Sequence, residues 1–326
     1  MPPTHDELVT LQEIETAAAR IASTVVRTPL VPFPRITPAL WIKPESLQPT
    51  GAFKLRGAYA AISGDLKLAA KHGVVAHSSG NHGYAVAYAA AQLGVRAVVV
   101  VPENAPKPKT DAIAYYGAEL VTVQPTLAAR VTAMNELAQA HGYLPIPPFE
   151  DRRIIAGQGT IGLEIVADCP AEDPVVLVPV SGGGLISGIA AAVKRLRPRA
   201  TIIGVEPELA ADAQESLRTG ERVAWPAAQV QRTIADALRV EQLGELTFAH
   251  MRTFVSTMLT VSEQEILDAI ARLAREARLV AEPGGAVAVA ACLFRDHELP
   301  AGRPRVAVLS GGNIDPALFA RVLAAD

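Results

Sequence analysis

Lys54 lies between Phe53 and Leu55, where a helix is expected to begin. An amine set against apolar neighbours loses hydration, which disfavours its charged form and suits Schiff-base chemistry. A lone lysine is more often a surface charge, so the neighbouring loops have to carry that reading. The strongest is Ser181-Gly182-Gly183-Gly184, directly after the apolar run 175–180 and before a helical stretch. Glycines let backbone N–H groups approach an anion, and a helix N-terminus adds the positive end of its dipole. This pattern suits a cup for a single phosphate; the plain alternative is a tight strand-to-helix turn. A dinucleotide fingerprint is a rival, with Glu206 placed to meet a ribose. It fails because Ser187 stands where GxGxxG requires the third glycine.

The second loop is Ser78-Ser79-Gly80-Asn81-His82-Gly83. Its hydroxyls, amide and helix-start N–H groups suit a small carboxylate, although helix capping by Ser79 or Asn81 explains them equally well. His77 and His82 lack metal-ligand spacing and read as structural, with backbone groups near residue 82 facing a ligand. The third loop, Ser310-Gly311-Gly312-Asn313, follows the run VAVL and alone is no more than a capped turn.

Strand-like runs at 73–77, 96–101, 120–123, 175–180, 201–205, 254–259 and 306–309 must position these loops. Helical stretches are expected at 82–93, 108–116, 127–140, 158–167, 185–196, 263–278 and 285–294. Alternation of this kind predicts an α/β fold with two open parallel sheets covered by helices. Pro145, Pro147 and Pro148 punctuate the junction between the two series.

The chain has 326 residues, of which half are hydrophobic and 19% charged, so it is expected to build a large core. A formal net charge of −3 offers no basic excess for nucleic acid. The N-terminus is acidic without an apolar run, and no segment approaches the roughly 20 apolar residues of a membrane span. A cytoplasmic protein is expected. Cys169 and Cys292 show no CxxC spacing and read as buried free thiols.

Taken together, the segments resemble pyridoxal-phosphate (PLP) enzymes of the tryptophan-synthase β-like fold (fold type II), and among them the threonine/serine dehydratases and serine racemases. The resemblance runs through KPESLQPTGAFKLRGA, HSSGNHGYA, VPENAPKPKTDAI, IAGQGTIGLEI, VPVSGGGLISG, TIAD, LGELTF, EPGGA and LSGGN, nearly the whole chain. It implies that Lys54 holds PLP as a Schiff base and shuttles the α-proton, with Phe53 packed near the ring. Asn81 would bond the phenolic oxygen and Ser310 the pyridine nitrogen. Gly182, Gly183, Gly184 and Leu185 would offer N–H groups to the phosphate. Ser78, Ser79 and His82 would line the substrate carboxylate site, Ser79 also standing where racemases keep a second acid/base. Glu206, the Ala210 carbonyl and Asp212 match positions that bind Mg²⁺ or Ca²⁺ in relatives; a helix start with acidic first-turn residues is the plain alternative. Residues 1–72 plus 144–326 would form a large PLP-binding domain, and 73–143 a small substrate-closing domain.

The implied reaction is α,β-elimination of L-threonine or L-serine to a 2-oxo acid and ammonia, by a homodimer acting on small amino acids. Serine racemase and threo-3-hydroxyaspartate ammonia-lyase are the near alternatives, a nicotinamide-dependent oxidoreductase a remote one. The end at Asp326 leaves no room for a C-terminal regulatory domain, implying a catabolic, isoleucine-insensitive enzyme. Three positions depart from the family pattern: Ala237 replaces the glycine of TIADG, Pro147 the histidine of HPF, and Ser181 a fourth glycine. Glu282 is expected near the ring edge without a firm role.

Overall fold

Valine-rich runs buried on both faces form the centres of two sheets, the usual fate of strands covered by helices on both sides. The computed structural model describes residues 8–78 and 80–325. Within them the strands are β1 (Val31–Pro32), β2 (Leu40–Pro44), β3 (Val74–His77), β4 (Ala97–Pro102), β5 (Glu119–Val123), β6 (Leu144–Pro145), β7 (Val175–Pro179), β8 (Thr201–Pro207), β9 (Thr257–Val261) and β10 (Arg305–Leu309). One sheet has the order β1-β2-β10-β7-β8-β9, parallel apart from the β1 edge; the other, parallel throughout, is β5-β4-β3-β6. The smaller sheet runs past residue 143, because Leu144 pairs with Val74.

Side chains on the central strands alternate between two cores, as the two-residue period of a strand demands. Val176, Val178, Val306 and Val308 enter one core; Val175, Leu177, Ala307 and Leu309 enter the other. Parallel strands also deliver their C-terminal ends to one edge, where ligands of open α/β sheets collect. The segments after β2, β7, β8 and β10 carry, in turn, Lys54, the glycine turn, the acidic pair and Ser310. The loop after β3 carries Ser78 and Asn81.

Three elements depart from the sequence expectation. The strand expected at 254–259 lies at Thr257–Val261, because Phe254 ends the helix Glu245–Phe254. That helix buries Thr247, Phe248, His250, Met251 and Phe254, a helical spacing that outweighs the β-branched run. The helix expected at 158–167 starts at Arg152, where the Asp151 carboxylate accepts the Arg153 N–H at 2.7 Å. The helix expected at 263–278 ends at Arg272 and continues as one π turn, Leu273–Ala277.

The N-terminal segment is fastened by a buried histidine. The Val9 N–H donates to His250 Nε2 at 2.9 Å, so the ring proton sits on Nδ1 and donates to the Leu246 carbonyl at 2.7 Å. Burial lowers the His250 pKa to about 4, and the ring stays neutral at pH 7. Its folded pKa therefore lies below the unfolded value of about 6.5, and its stabilisation is lost as pH falls from there towards 4. His250→Leu removes the Val9 partner and should cost about 1–3 kcal/mol at pH 7.5. The deficit should narrow at pH 5, where the parent alone keeps a protonatable ring buried. Denaturant unfolding at the two pH values checks this; an equal deficit at both contradicts it.

Candidate active site

Lys54 opens the helix Lys54–Gly64, and Phe53 at its cap supplies no side-chain hydrogen bond. The Lys54 ammonium donates to the Pro148 carbonyl at 2.7 Å and stands 5.1 Å from the Phe53 ring centre. Burial lowers its pKa to about 8. The Phe53 N–H donates to the Ser310 carbonyl at 3.0 Å, and Ala52 bridges to Gly311. These bonds lock the lysine segment onto the loop after β10.

Asn81 begins the helix Asn81–Gln92 of the smaller sheet. Its amide donates to Glu282 at 2.6 Å and accepts from Asn313 at 2.8 Å. Asn313 in turn donates to the Thr50 carbonyl at 2.9 Å. Glu282 is buried; burial first, then the Asp236 carboxylate, push its pKa up to about 7. Lys109 meets Asp236 at 2.6 Å, a second tie between the helix Lys107–Tyr115 and the larger sheet. Ala237, the departure from TIADG, places its methyl group towards Gly284 at the start of the helix Pro283–Phe294.

The glycine turn is shaped by what presses on it. A Cβ on Gly182 would stand 2.3 Å from the Phe149 ring, and one on Gly184 2.9 Å from Phe149 Cβ. Gly183 has φ +89°, and a Cβ there would meet Thr247 at 2.8 Å. Thr247 donates its hydroxyl to the Gly182 carbonyl at 2.7 Å. Glu150 accepts the Leu246 N–H at 2.6 Å and so holds the start of the Thr247 helix. The Ser181 hydroxyl is enclosed and has no hydrogen-bond partner among the described residues. Gly184 and Leu185 start the helix Gly184–Leu196, whose first N–H groups lack intrahelical acceptors.

His82 lies one residue into its helix, its Nε2–H donating to the Ile146 carbonyl at 2.8 Å. Burial, then the Lys54 charge, lower its pKa to about 3; His77 is lowered to about 4 by burial, then by Arg130 and Lys54. Both imidazoles are held neutral, and the Nδ1 atom of each is buried without a hydrogen-bond partner among the described residues. Ser78 turns its hydroxyl to the Gly80 N–H at 3.1 Å. Ser79 lies outside the described residues.

Glu206 and Asp212 form a separate buried pair at the end of β8. The Glu206 oxygens accept the Ala213 and Gln214 N–H groups at 3.1 and 2.8 Å. Asp212 Oδ2 is buried without a partner among the described residues. Burial and the neighbouring Asp212 raise the Glu206 pKa well above the carboxylate range; burial pushes Asp212 up to about 7. Among the described residues no group of three His, Cys, Asp or Glu side chains could hold a metal, so any cation here would depend on backbone oxygens and water.

The structure thus brings Phe53, Lys54, Asn81, Gly182, Gly183, Gly184 and Ser310 into one connected site. Pro148 and Phe149 are the link that motif reading did not assign: the carbonyl of one meets Lys54 and the ring of the other meets Gly182. In the sequence this segment stands out only for its prolines at the junction and for the proline in place of a histidine. Nothing in the residue types of Thr247 and Glu150 signals that they brace the glycine turn. A desolvated amine, a glycine cradle that any Cβ would fill and an enclosed, unpaired serine hydroxyl together fit an aldehyde cofactor with a phosphate tail. Gly183→Ala forces an L-residue into the left-handed region, at about 1–2 kcal/mol. It should weaken PLP binding roughly tenfold. Fluorescence titration of PLP-free protein checks this; unchanged affinity contradicts it.

Comparisons with known proteins agree with this geometry. The chain is 39% identical over 323 residues to an L-threonine ammonia-lyase of Thermotoga maritima, covering 97% of this chain and 78% of that one. It is 38% identical to an L-threo-3-hydroxyaspartate ammonia-lyase of Saccharomyces cerevisiae, covering 96% of each. Among solved structures, maize serine racemase superposes with a TM-score of 0.90 at 35% identity, covering 96% of each chain. A family profile described as pyridoxal-phosphate dependent enzyme matches residues 21–311, and with the lysine, the glycine cradle and the two parallel sheets in place, the chain belongs to that PLP-dependent family.

Proposed function

We propose that the chain is a PLP-dependent ammonia-lyase converting L-threonine or L-serine to a 2-oxo acid and ammonia. The observation that carries this reading is the desolvated Lys54 amine in a site joined to the glycine turn through Pro148 and Phe149. When bound, PLP supplies an electron sink for charge developing at the substrate α-carbon. Lys54 would anchor the aldehyde and carry the α-proton at Nζ. An amine titrating near 8 is partly neutral at physiological pH, as a base must be. Gly182, Gly183, Gly184 and Leu185 would hold the phosphate, Asn81 the phenolic oxygen and Ser310 the ring nitrogen. Ser78 and the backbone at His82 would orient the substrate carboxylate. Ser79 would face the α-carbon from the side opposite Lys54, and the domain expected at 73–143, extended by the strand Leu144–Pro145, would close over the substrate.

A second reading is favoured by Arg130, in the first turn of the helix Leu127–His141. Its charge helps depress the His77 pKa, and the Glu241 carboxylate acts on it in turn. Among the described residues its side chain makes one hydrogen bond, to the Thr126 carbonyl at 3.4 Å, and no ion pair. A cation so placed suits a substrate with a second carboxylate, such as threo-3-hydroxyaspartate. A panel of L-threonine, L-serine and threo-3-hydroxyaspartate, read as 2-oxo acid, decides between the two. The first reading expects threonine or serine to have the highest kcat/KM, with little change in Arg130→Met. Preference for hydroxyaspartate, lost at least tenfold in Arg130→Met, would replace it. Ser79→Ala should leave elimination from L-serine in place while abolishing any D-serine formation seen by chiral chromatography.

A divalent cation at Glu206, the Ala210 carbonyl and Asp212 belongs to the same proposal. Two buried carboxylates repel each other, and the unpaired Asp212 oxygen calls for a positive partner. Oxygen ligands completed by water suit Mg²⁺ or Ca²⁺. Chelation should lower the melting temperature, and added Mg²⁺ should restore it; an unmoved transition contradicts the site. The reading also includes a cytoplasmic homodimer, consistent with two buried free thiols and testable by light scattering.

A further inference from the structure

We propose that the quartet Lys43, Glu45, Arg56 and Glu164, buried except for a partly exposed Glu164, is a positioning device that sets the rotation and axial height of Lys54. This rests on the assignment of Lys54 as the Schiff-base residue. Arg56 is two residues along the same helix, about 200° around the axis, so it reaches the side opposite Lys54. Its side chain is fully buried. Nε and Nη2 grip both oxygens of Glu45 at 2.7 and 2.8 Å, while Nη1 and Nη2 grip both oxygens of Glu164 at 2.7 and 2.9 Å. Nη1 also donates to Thr160 at 3.1 Å. Lys43 of β2 donates to Glu164 at 2.5 Å and to the Thr28 carbonyl. Thr28 and Gln48 donate to Glu45 at 2.8 and 3.0 Å.

Such directional bonds answer a specific weakness. The Lys54 helix meets the helix Arg152–Asp168 through glycines: a Cβ on Gly157 would stand 2.6 Å from Gly57 Cα. That contact fixes separation, and the Gln158 amide lying over Gly57 has no hydrogen-bond partner among the described residues, so no directional bond there resists sliding. Arg56 and Glu164 join the same two helices, and Glu45 joins them to the strand edge. Two cations and two anions sum to zero, so the quartet supplies geometry without a net charge beside the amine. Burial alone accounts for the lowered Lys54 pKa. A buried ion network is weak evidence for stability but a known means of specifying register.

The test uses PLP-loaded Arg56→Lys, Glu164→Gln and Lys54→Ala. Arg56→Lys keeps the charge and loses the two-pronged grip; Glu164→Gln is the milder change and decides the matter if the first does not fold. A misplaced reacting group costs rate more than substrate binding. The expected result is kcat per bound PLP down by about tenfold or more, KM within about twofold, and slower growth of the Schiff-base absorbance on adding PLP. Parental kcat per bound PLP and parental attachment rate in a folded variant overturn the proposal, leaving the quartet merely structural. Lys54→Ala separates the two readings: Schiff-base absorbance that survives there refutes the Lys54 assignment itself, whatever the quartet variants show.

Discussion

The structure turns on desolvating one partly buried amine at the edge where the strands of the larger sheet end. Burial costs a charged ammonium far more than a neutral amine, so a lysine held in an apolar setting is drawn towards its reactive form. At Lys54 the pull comes from burial alone and brings the pKa to about 8. Every neighbouring polar group has to respect that. His82 and His77 are held neutral, burial raises the Glu282 pKa to about 7, and the ions around Arg56 are matched in number.

Parallel-sheet topology explains how separate segments reach this amine. The ends of β2, β7 and β10 lie side by side, and short backbone bonds from Phe53 to Ser310 and from Gly312 to Gly51 stitch their loops together. The glycine turn is clamped by Phe149 and Thr247, and the Phe149 segment returns to Lys54 through Pro148. Asn81 and Lys109 bring the second sheet to the same edge. The two acidic residues after β8 sit behind this arrangement: Leu243 packs on Gly183 and also hydrogen bonds through its backbone to Asp212.

Much of this was legible before the structure. Strand–helix alternation located both sheets, since β-branched runs bounded by glycine and proline have few other outcomes. Glycines 182–184 signalled an anion cup because their chemistry is local. Contacts between distant segments were not legible. Pro148 contributes a carbonyl, which any residue has; Thr247 and Glu150 are common types whose roles arise only when the Glu245–Phe254 helix docks. Residue type alone does not mark Lys43 and Arg56 as buried; their burial depends on the Glu45 and Glu164 carboxylates that pair with them. The helix expected from residue 158 begins at Arg152 and so includes Gly157, a poor helix former that the close approach of the Lys54 helix requires.

The most direct measurement is chemical: reduce the PLP-loaded protein with borohydride, digest it and locate the modified peptide by mass. The account places a single phosphopyridoxyl group on Lys54. Recovery of the label on another lysine, or unlabelled residue 54 in fully loaded protein, would contradict it.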